Sequence, residues 1–238
     1  MADDSTDDST KEETKDESRE ESKKDDRELI SEFVEEFITY EGLLKSYQDP
    51  ENGNTYLELS DEDISKEFIY FAHVINGTVE AGLFKGSHID QAVIKFEKQF
   101  NSLNLVRVNT EYYFDPDSEL SRQSQSNISD SVIENFEITH KNEDENTYLI
   151  DITKLLKSDN LTKLKSEPRD YESDSFGVGS LSRSKTAISK IYNYPNNTDF
   201  EVDYVFSNPA SYESLRNTSV KLRYTFLEMP QDNGFEIR

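Results

Sequence analysis

Residues 200–206 read Phe-Glu-Val-Asp-Tyr-Val-Phe, and residues 220–227 read Val-Lys-Leu-Arg-Tyr-Thr-Phe-Leu. In both stretches large apolar side chains occupy every second position, with mostly polar side chains between them. A period of two puts the apolar side chains on one face, which is typical of antiparallel strands that bury that face. Taken with the shorter helical signals elsewhere in the chain, these stretches predict an α+β fold: mainly an antiparallel β sheet with a few packed helices.

Turn signals predict further strands around this pair. Residues 43–47 and 55–59 flank Asn52-Gly53, and this arrangement predicts a hairpin because such a pair readily adopts positive φ. Residues 91–96 and 103–109 predict a second hairpin. The other predicted strands are residues 67–75, 111–114, 135–140 and 147–152.

Helical signals are fewer and shorter. An apolar residue recurs every three or four positions from residue 28, which predicts an amphipathic helix that ends at Gly42. Its apolar positions are Leu29, Phe33, Phe37 and Tyr40. Ser60 and Asp63 fit a capping box that opens a short helical turn. Two more helices are predicted, one after residue 118 with apolar positions at Leu120, Ile128, Val132 and Ile133, and a short one at 151–157.

The composition changes sharply near residue 28. Residues 1–28 contain 13 acidic and six basic side chains but only two apolar ones. Such a segment cannot bury enough apolar surface to offset the entropy lost on ordering, about 1–2 kcal/mol per residue for the backbone alone. We therefore predict a disordered acidic tail at 1–28 and a folded domain at 29–238. The polar stretch 158–184 is predicted to be a loop or the seam between two subregions.

The net charge of −24 bears on the choice of partners, since the tail carries only −7 of it and the folded part is acidic too. Acidic surfaces repel phosphate, so we expect neither a nucleic acid nor an anionic membrane surface as a partner. The densest basic cluster, Arg183, Lys185 and Lys190, is interpreted as a solvated turn and helix start. No apolar run reaches the roughly 20 residues of a membrane span, and no signal-peptide pattern is present.

The chain has no cysteine and three histidines, His73, His88 and His140, which are far apart in sequence. Zinc, iron and copper sites rely mainly on imidazole and thiolate, and most nucleophilic catalysis needs a cysteine or a histidine base. We therefore predict no catalytic, metal-binding or cofactor-binding residue. His73 is expected in the core with a hydrogen-bond partner. His88 in a glycine-rich loop and His140 at a strand end are expected to be structural or exposed.

Two further patterns superficially match binding motifs. The segment Asp115–Glu119 alternates acidic side chains as a calcium loop does, but its proline and the missing glycine and closing glutamate favour a turn before a helix. Residues 177–179, Gly-Val-Gly, are too short for a dinucleotide-binding loop and are interpreted as a turn. Neither pattern is predicted to bind a ligand.

Six short blocks carry a family resemblance. They are EGLLKSY at 41–47, TYLEL at 55–59, VIKFE at 93–97, YFDPDS at 113–118, YLIDIT at 148–153 and VKLRYTF at 220–226. In this order they resemble the N-terminal domain, of unknown function, of a family of large bacterial zinc-dependent metallopeptidases. The similarity spans roughly residues 33 to 238. In that family the N-terminal domain looks like an accessory module, and zinc and catalysis belong to a downstream metzincin-like domain with the motif HExxHxxGxxH.

The resemblance implies a non-catalytic accessory or interaction domain, which is not an enzyme by itself. No HExxH occurs in the sequence, so no zinc ligand carries over, and zinc is expected only in the catalytic domain of the family. The implied partner is a metallopeptidase domain in cis or in trans. The chain is expected to be a fragment, a truncated gene product or a free-standing relative. Family members are often exported, which implies a periplasmic or extracellular setting and leaves the compartment of this chain open.

Two other classes of function stand as hypotheses. In the first, the chain is a stand-alone envelope or extracellular binding module for a protein or glycan that uses Tyr171, Tyr192 and Tyr194. A concave tyrosine-lined surface would favour this module, whereas a flat apolar patch near the C-terminal strands would favour a partner domain. In the second, the chain is a hydrolase with two carboxylates held about 5 to 9.5 Å apart in a pocket. Its 37 acidic residues outside the tail make chance pairs common, so pairing alone is weak support.

Overall fold

Twelve β strands form one sheet in the computed structural model of the protein, which describes residues 29–79, 82–111, 129–142, 145–164, 179–207 and 217–230. The first six strands are β1 (Ile38–Tyr40), β2 (Ser46–Gln48), β3 (Thr55–Ser60), β4 (Glu67–Asn76), β5 (His88–Gln99) and β6 (Ser102–Arg107). The other six are β7 (Ser131–Asn142), β8 (Thr147–Asp151), β9 (Ser180–Leu181), β10 (Ala187–Tyr194), β11 (Asn197–Ser207) and β12 (Asn217–Glu228).

The strands lie in the order β1-β2-β3-β8-β7-β6-β5-β4-β12-β11-β10, with β9 paired to β11, and every pairing between them is antiparallel. The two ends of this order meet. The Leu43 backbone N–H donates to the carbonyl of Tyr194 in β10 over 2.8 Å, and the Asn193 side-chain amide donates to the carbonyls of Tyr40 and Leu44. The sheet therefore curls back on itself and has one inward and one outward face.

The inward face carries the main hydrophobic core. β11 and β12 supply Phe200, Val202, Tyr204, Phe206, Val220, Leu222, Tyr224 and Phe226, all of which are buried. These are the residues that alternate in the sequence, so the predicted pair of half-buried antiparallel strands is confirmed. Burying a side chain of this size stabilises the fold by about 1.5–3 kcal/mol, which favours the observed register over one shifted by a residue. The segment 153–164, which begins with α2 (Thr153–Leu156), packs into the same core.

A smaller cluster covers part of the outward face. The helix α1 (Ile30–Phe33) lies over β2, β3 and β8, where Ile30 and Val34 pack against Tyr47, Tyr56 and Leu149. The Phe33 ring stacks on His140 of β7 with a centroid distance of 4.1 Å. Phe33 at the end of α1 and Phe37 after it therefore pack onto the sheet.

The predicted α+β class with packed helices is wrong. In the described ranges α-helix is limited to α1 and α2, of four residues each, and the strands are all antiparallel. The predicted helix from residue 28 to Gly42 ends at Phe33, and residues 38–40 form β1. Phe33 and Phe37 both contact the Tyr56 ring of β3, and this shared contact explains their spacing. A spacing of four residues also matches a helical period, which is why a helix was predicted.

The helix predicted after residue 118 is also corrected where the structure describes it. Val132 and Ile133 lie in β7, which pairs with β6 and β8. Both residues are β-branched, and such side chains fit a pleated surface better than a helix. Residues 112–128 lie outside the described ranges, as do the predicted tail at 1–28 and much of the predicted seam at 158–184, namely 165–178.

Several local predictions are confirmed. The Asn52-Gly53 hairpin joins β2 and β3, with φ of 73° at Gly53, and β5 pairs with β6 as the second hairpin. The short helix at 151–157 is α2. A turn does form at Ser60 and Asp63, but the serine hydroxyl donates to the Asp63 carboxylate over 2.6 Å, whereas the prediction had it accept a backbone N–H.

Candidate functional site

Four apolar side chains lie together on the outward face of the sheet. Ile69 and Phe71 of β4 point outward because the alternate residues of that strand face the core. Val93 of β5 and Leu227 of β12 are the cross-strand neighbours of Ile69 on its two sides. All four are half-buried, and we call them the outer patch. They form an apolar surface across β5, β4 and the C-terminal strand β12.

A charged cluster borders the outer patch. Arg223 of β12 donates to the Glu201 carboxylate over 2.5 Å, and its guanidinium lies 3.8 Å from a carboxylate oxygen of Asp199. The same guanidinium lies over the Tyr192 ring, with its central carbon 5.2 Å from the ring centre. The hydrogen bond with Glu201 raises the pKa of Arg223. Glu201 and Asp199 are buried, at only 4% and 7% exposed, and both pair with the single guanidinium of Arg223. With two carboxylates and one guanidinium, the cluster has a formal charge that is negative.

The histidines do not converge. His73, expected in the core, lies half-buried on the outward face of β4 beside Arg223, and its Nδ1 has no hydrogen-bond partner among the described residues. The prediction failed because a strand of apolar residues on both faces does not indicate which face is inside. His88 is exposed and lies opposite His73 on β5. His140 lies on β7, under Phe33 of α1.

A second feature lies at the turn between β5 and β6. An open cavity of about 590 Å³, which we call the tip groove, borders the outward sides of β6 and β7. Its lining consists mostly of amide and hydroxyl side chains, with the aromatic ring of Phe100 at one end and Val132 as the other apolar residue. Phe100 is 93% exposed, which is unusual for an aromatic residue.

The sequence reasoning singled out different residues. Tyr192 packs against Arg223 and Tyr194 is 51% exposed, while Tyr171, Asp115–Glu119 and 177–178 lie outside the described ranges. The solvated turn is confirmed at 183–185, but Lys190 belongs to β10, so the predicted helix start is wrong. The tip groove was missed. Its available signal was a phenylalanine in a two-residue turn where glycine or asparagine is usual.

The carboxylates of these two sites do not form an acid–base pair. The tip groove has one carboxylate in its described lining, Glu137, and the buried carboxylates Asp199 and Glu201 both face Arg223. This arrangement adds no support to the hypothesis of a hydrolase with two carboxylates. Across the described ranges, no three histidine or acidic side chains come together as metal ligands would. No helix of the described part of the chain has both the length and the apolar character needed to cross a membrane.

Comparison with known proteins identifies a family but no individual relative. The family described as Domain of unknown function (DUF5117) matches residues 86–234, which is more than half of the chain. The match covers all the strands from β5 to β12, so it includes the tip groove and two of the four outer-patch residues. No curated protein and no solved structure matches the chain.

Proposed function

This chain belongs to the DUF5117 family, and on this premise we propose that it is a non-catalytic accessory domain that packs against a partner protein. The proposed partner is a zinc-dependent metallopeptidase domain, in cis or in trans. Support for that partner comes from the resemblance of the six sequence blocks between Glu41 and Phe226 to the N-terminal domain of such enzymes. Support for a packing role comes from the outward face of the sheet.

The outer patch is the observation that carries this proposal. An outward strand face normally alternates polar side chains with the buried residues, as β11 does at Asp199, Glu201 and Asp203. In β4 the outward positions Ile69 and Phe71 are apolar instead, and the cross-strand neighbours of Ile69 on β5 and β12 are apolar too, whereas those of Phe71 are polar. Contiguous apolar surface with a polar rim is typical of a protein interaction site.

The rim of the outer patch indicates the chemistry of the partner surface. Arg223 and Tyr192 belong to the residue types that contribute most to interface binding energy. Around them the carboxylates of Asp199 and Glu201 exceed the positive charge of Arg223. We therefore expect the partner to present apolar residues ringed by lysine or arginine, because complementary charge speeds association and fixes the register of the interface.

A charge placed in the outer patch tests the packing role. The binding partner in this test is a purified HExxH-containing metallopeptidase domain encoded in the same or an adjacent reading frame. We expect Ile69→Lys to raise the Kd for this domain at least tenfold, as measured by calorimetry. Phe84→Lys is the matched control, since Phe84 is 56% exposed in the loop before β5 and lies outside the patch. Circular dichroism verifies that both variants fold. Equal affinity of Ile69→Lys and the native chain would contradict the proposal.

A separate measurement tests the non-catalytic role. We expect the purified chain to contain less than one zinc ion per ten molecules by mass spectrometry and to leave a casein substrate uncleaved. The reason is that the sequence has neither cysteine nor two histidines one helical turn apart. Stoichiometric zinc together with peptidase activity that a chelator removes would sink the idea.

A further inference from the structure

The turn between β5 and β6 holds an aromatic residue in an unfavourable setting. Only Phe100 and Asn101 connect the two strands, and Phe100 has φ of 55°. Left-handed backbone is uncommon for a bulky L-residue, and glycine or asparagine usually occupies such a turn. The Phe100 ring is also 93% exposed, so it gains nothing from burial in the fold. Strained residues of this kind cluster at active sites, ligand clamps and switch regions, so this one marks the turn as a candidate binding site.

Amide side chains are held in fixed orientations beside this ring. The Asn135 amide of β7 donates to Asn104 Oδ1 over 2.6 Å and to Ser102 Oγ over 3.0 Å. The Asn104 amide of β6 in turn donates to Gln99 Oε1 over 3.0 Å. These bonds use one of the two N–H groups of Asn104 and leave the amide N–H groups of Gln99 for other partners. The result is a preorganised row of donors and acceptors across three strands, next to an aromatic face.

Strand addition does not suit this groove, because the backbone edges along it are already paired. β5 pairs with β4 and β6, β6 with β5 and β7, and β7 with β6 and β8. A peptide cannot extend the sheet here, so recognition must use side chains. An amphipathic helix would need an apolar groove, and the described lining has only Phe100 and Val132 as apolar residues.

The charge of the residues that line the tip groove restricts the class of ligand further. None of the described residues that line the tip groove is a lysine or arginine, and Glu137 adds a negative charge. Phosphorylated and carboxylated ligands need cationic partners and are therefore disfavoured. A neutral ligand with many hydroxyl groups and an apolar face fits what remains, because amides donate to and accept from hydroxyls while an aromatic ring covers C–H groups.

We propose that the tip groove binds a neutral oligosaccharide. The Phe100 ring packs against the C–H face of one sugar ring, and Gln99, Asn104 and Asn135 bind the hydroxyls of that ring and its neighbour. Glu137, at the far side of the row, accepts hydrogen bonds from further hydroxyls. This site lies apart from the outer patch, so its role does not depend on packing against a partner protein.

Titration with four neutral hexasaccharides, derived from cellulose, xylan, starch and chitin, tests the proposal on the full chain. Backbone amide shifts in two-dimensional NMR report the site. We expect at least one hexasaccharide to shift the amides of residues 99–104 and 132–137 in a saturable manner. A trigalacturonate probe, which is anionic, is expected to bind at least tenfold more weakly. No saturable shift from any of the four sugars at about 10 mM, a concentration that detects Kd values well above 1 mM, would overturn the proposal.

Two variants of Phe100 separate binding from folding. Phe100→Ala is expected to raise the Kd for the oligosaccharide at least tenfold. Phe100→Gly is expected to do the same while raising the melting temperature, because glycine accepts positive φ without strain. Phe84→Ala, which removes another exposed phenylalanine, is the control and is expected to bind as the native chain does. Native affinity in Phe100→Gly, or equal loss in Phe84→Ala, would also overturn the proposal, even if the outer patch binds its partner as expected.

Discussion

His73 lies on the outward face of β4, between the exposed His88 on β5 and the Arg223 guanidinium on β12. Burial and then the positive charge of Arg223 lower the pKa of this histidine, although Asp199 and Glu201 act in the opposite direction. The protonated ring is thus less favourable in the folded protein than in the unfolded chain. His73 is therefore a source of acid sensitivity.

We expect the stability of the native protein to fall as the pH drops from about 7.5 to about 5.5, and the decline to be smaller in His73→Gln. Since the folded-state pKa is lowered, the contribution of His73 is fully present above its ordinary pKa of 6.5 and is lost as pH falls through that value towards the folded-state one. Urea midpoints at the two pH values measure the difference.

His88→Gln is the control for this pH prediction, because it removes the exposed neighbouring imidazole and leaves His73 in place. We expect this variant to keep most of the native pH dependence. If His73→Gln declined as steeply as the native chain, the acid sensitivity would have to come from other groups.

At the scale of elements, the segment 153–164 is held inside the curled sheet by tyrosine hydroxyls. The Tyr204 hydroxyl of β11 donates to the Leu156 carbonyl over 2.5 Å and lies 2.7 Å from the Tyr224 hydroxyl of β12. The Tyr70 hydroxyl of β4 donates to the Leu161 carbonyl over 3.4 Å. Polar backbone groups at the end of α2 therefore find donors in an apolar interior, as buried carbonyls require.

We expect Tyr204→Phe to lower the free energy of unfolding by about 1–3 kcal/mol, because it leaves the buried Leu156 carbonyl without this donor. Urea denaturation followed by circular dichroism measures the change. Tyr194→Phe is the matched control, since Tyr194 is 51% exposed, and a change within about 0.5 kcal/mol is expected there. Equal effects of the two substitutions would mean that the buried hydroxyl is not what holds the segment.

Elements were predictable where one local pattern dominates. Strict alternation at 200–206 and 220–227 matches the burial of β11 and β12, and Asn52-Gly53 correctly predicted the turn between β2 and β3. The helix predicted from residue 28 failed because aromatic residues spaced by four, Phe33 and Phe37, serve equally well as contacts with the sheet. Short apolar periods do not distinguish these two outcomes.

At the scale of the whole molecule, one contact joins the two ends of the strand order and closes the sheet. Gly42, just after β1, lies against Asn193 and Tyr194 of β10, and an added Cβ would overlap the Asn193 side-chain amide. That amide donates to the carbonyls of Tyr40 and Leu44, so it links both ends of the strand order. The predicted role of Gly42 was to end a helix. Its actual role is to allow two backbones that are distant in sequence to approach closely.

We expect Gly42→Ala to lower the free energy of unfolding by about 1–3 kcal/mol through overpacking at this contact. It should also speed hydrogen exchange of the Leu43 amide, which donates to Tyr194 across the closure. Gly82→Ala is the control, because nothing lies within 4 Å of its Cβ position, and only its φ of 73° opposes alanine. Exchange at Leu43 unchanged in Gly42→Ala would show that the closure tolerates a side chain.

Strand character at β11 and β12 follows from alternation, and at β4 and β5 from apolar runs beside turn residues, because these signals act over a few positions. The DUF5117 match likewise rests on sequence. The closure at Gly42, the outward position of His73 and the row from Gln99 to Asn135 in the tip groove depend on long-range contacts. Which strands become neighbours is set by burial of the whole apolar set and by loop closure, and neither of these is a property of any one segment.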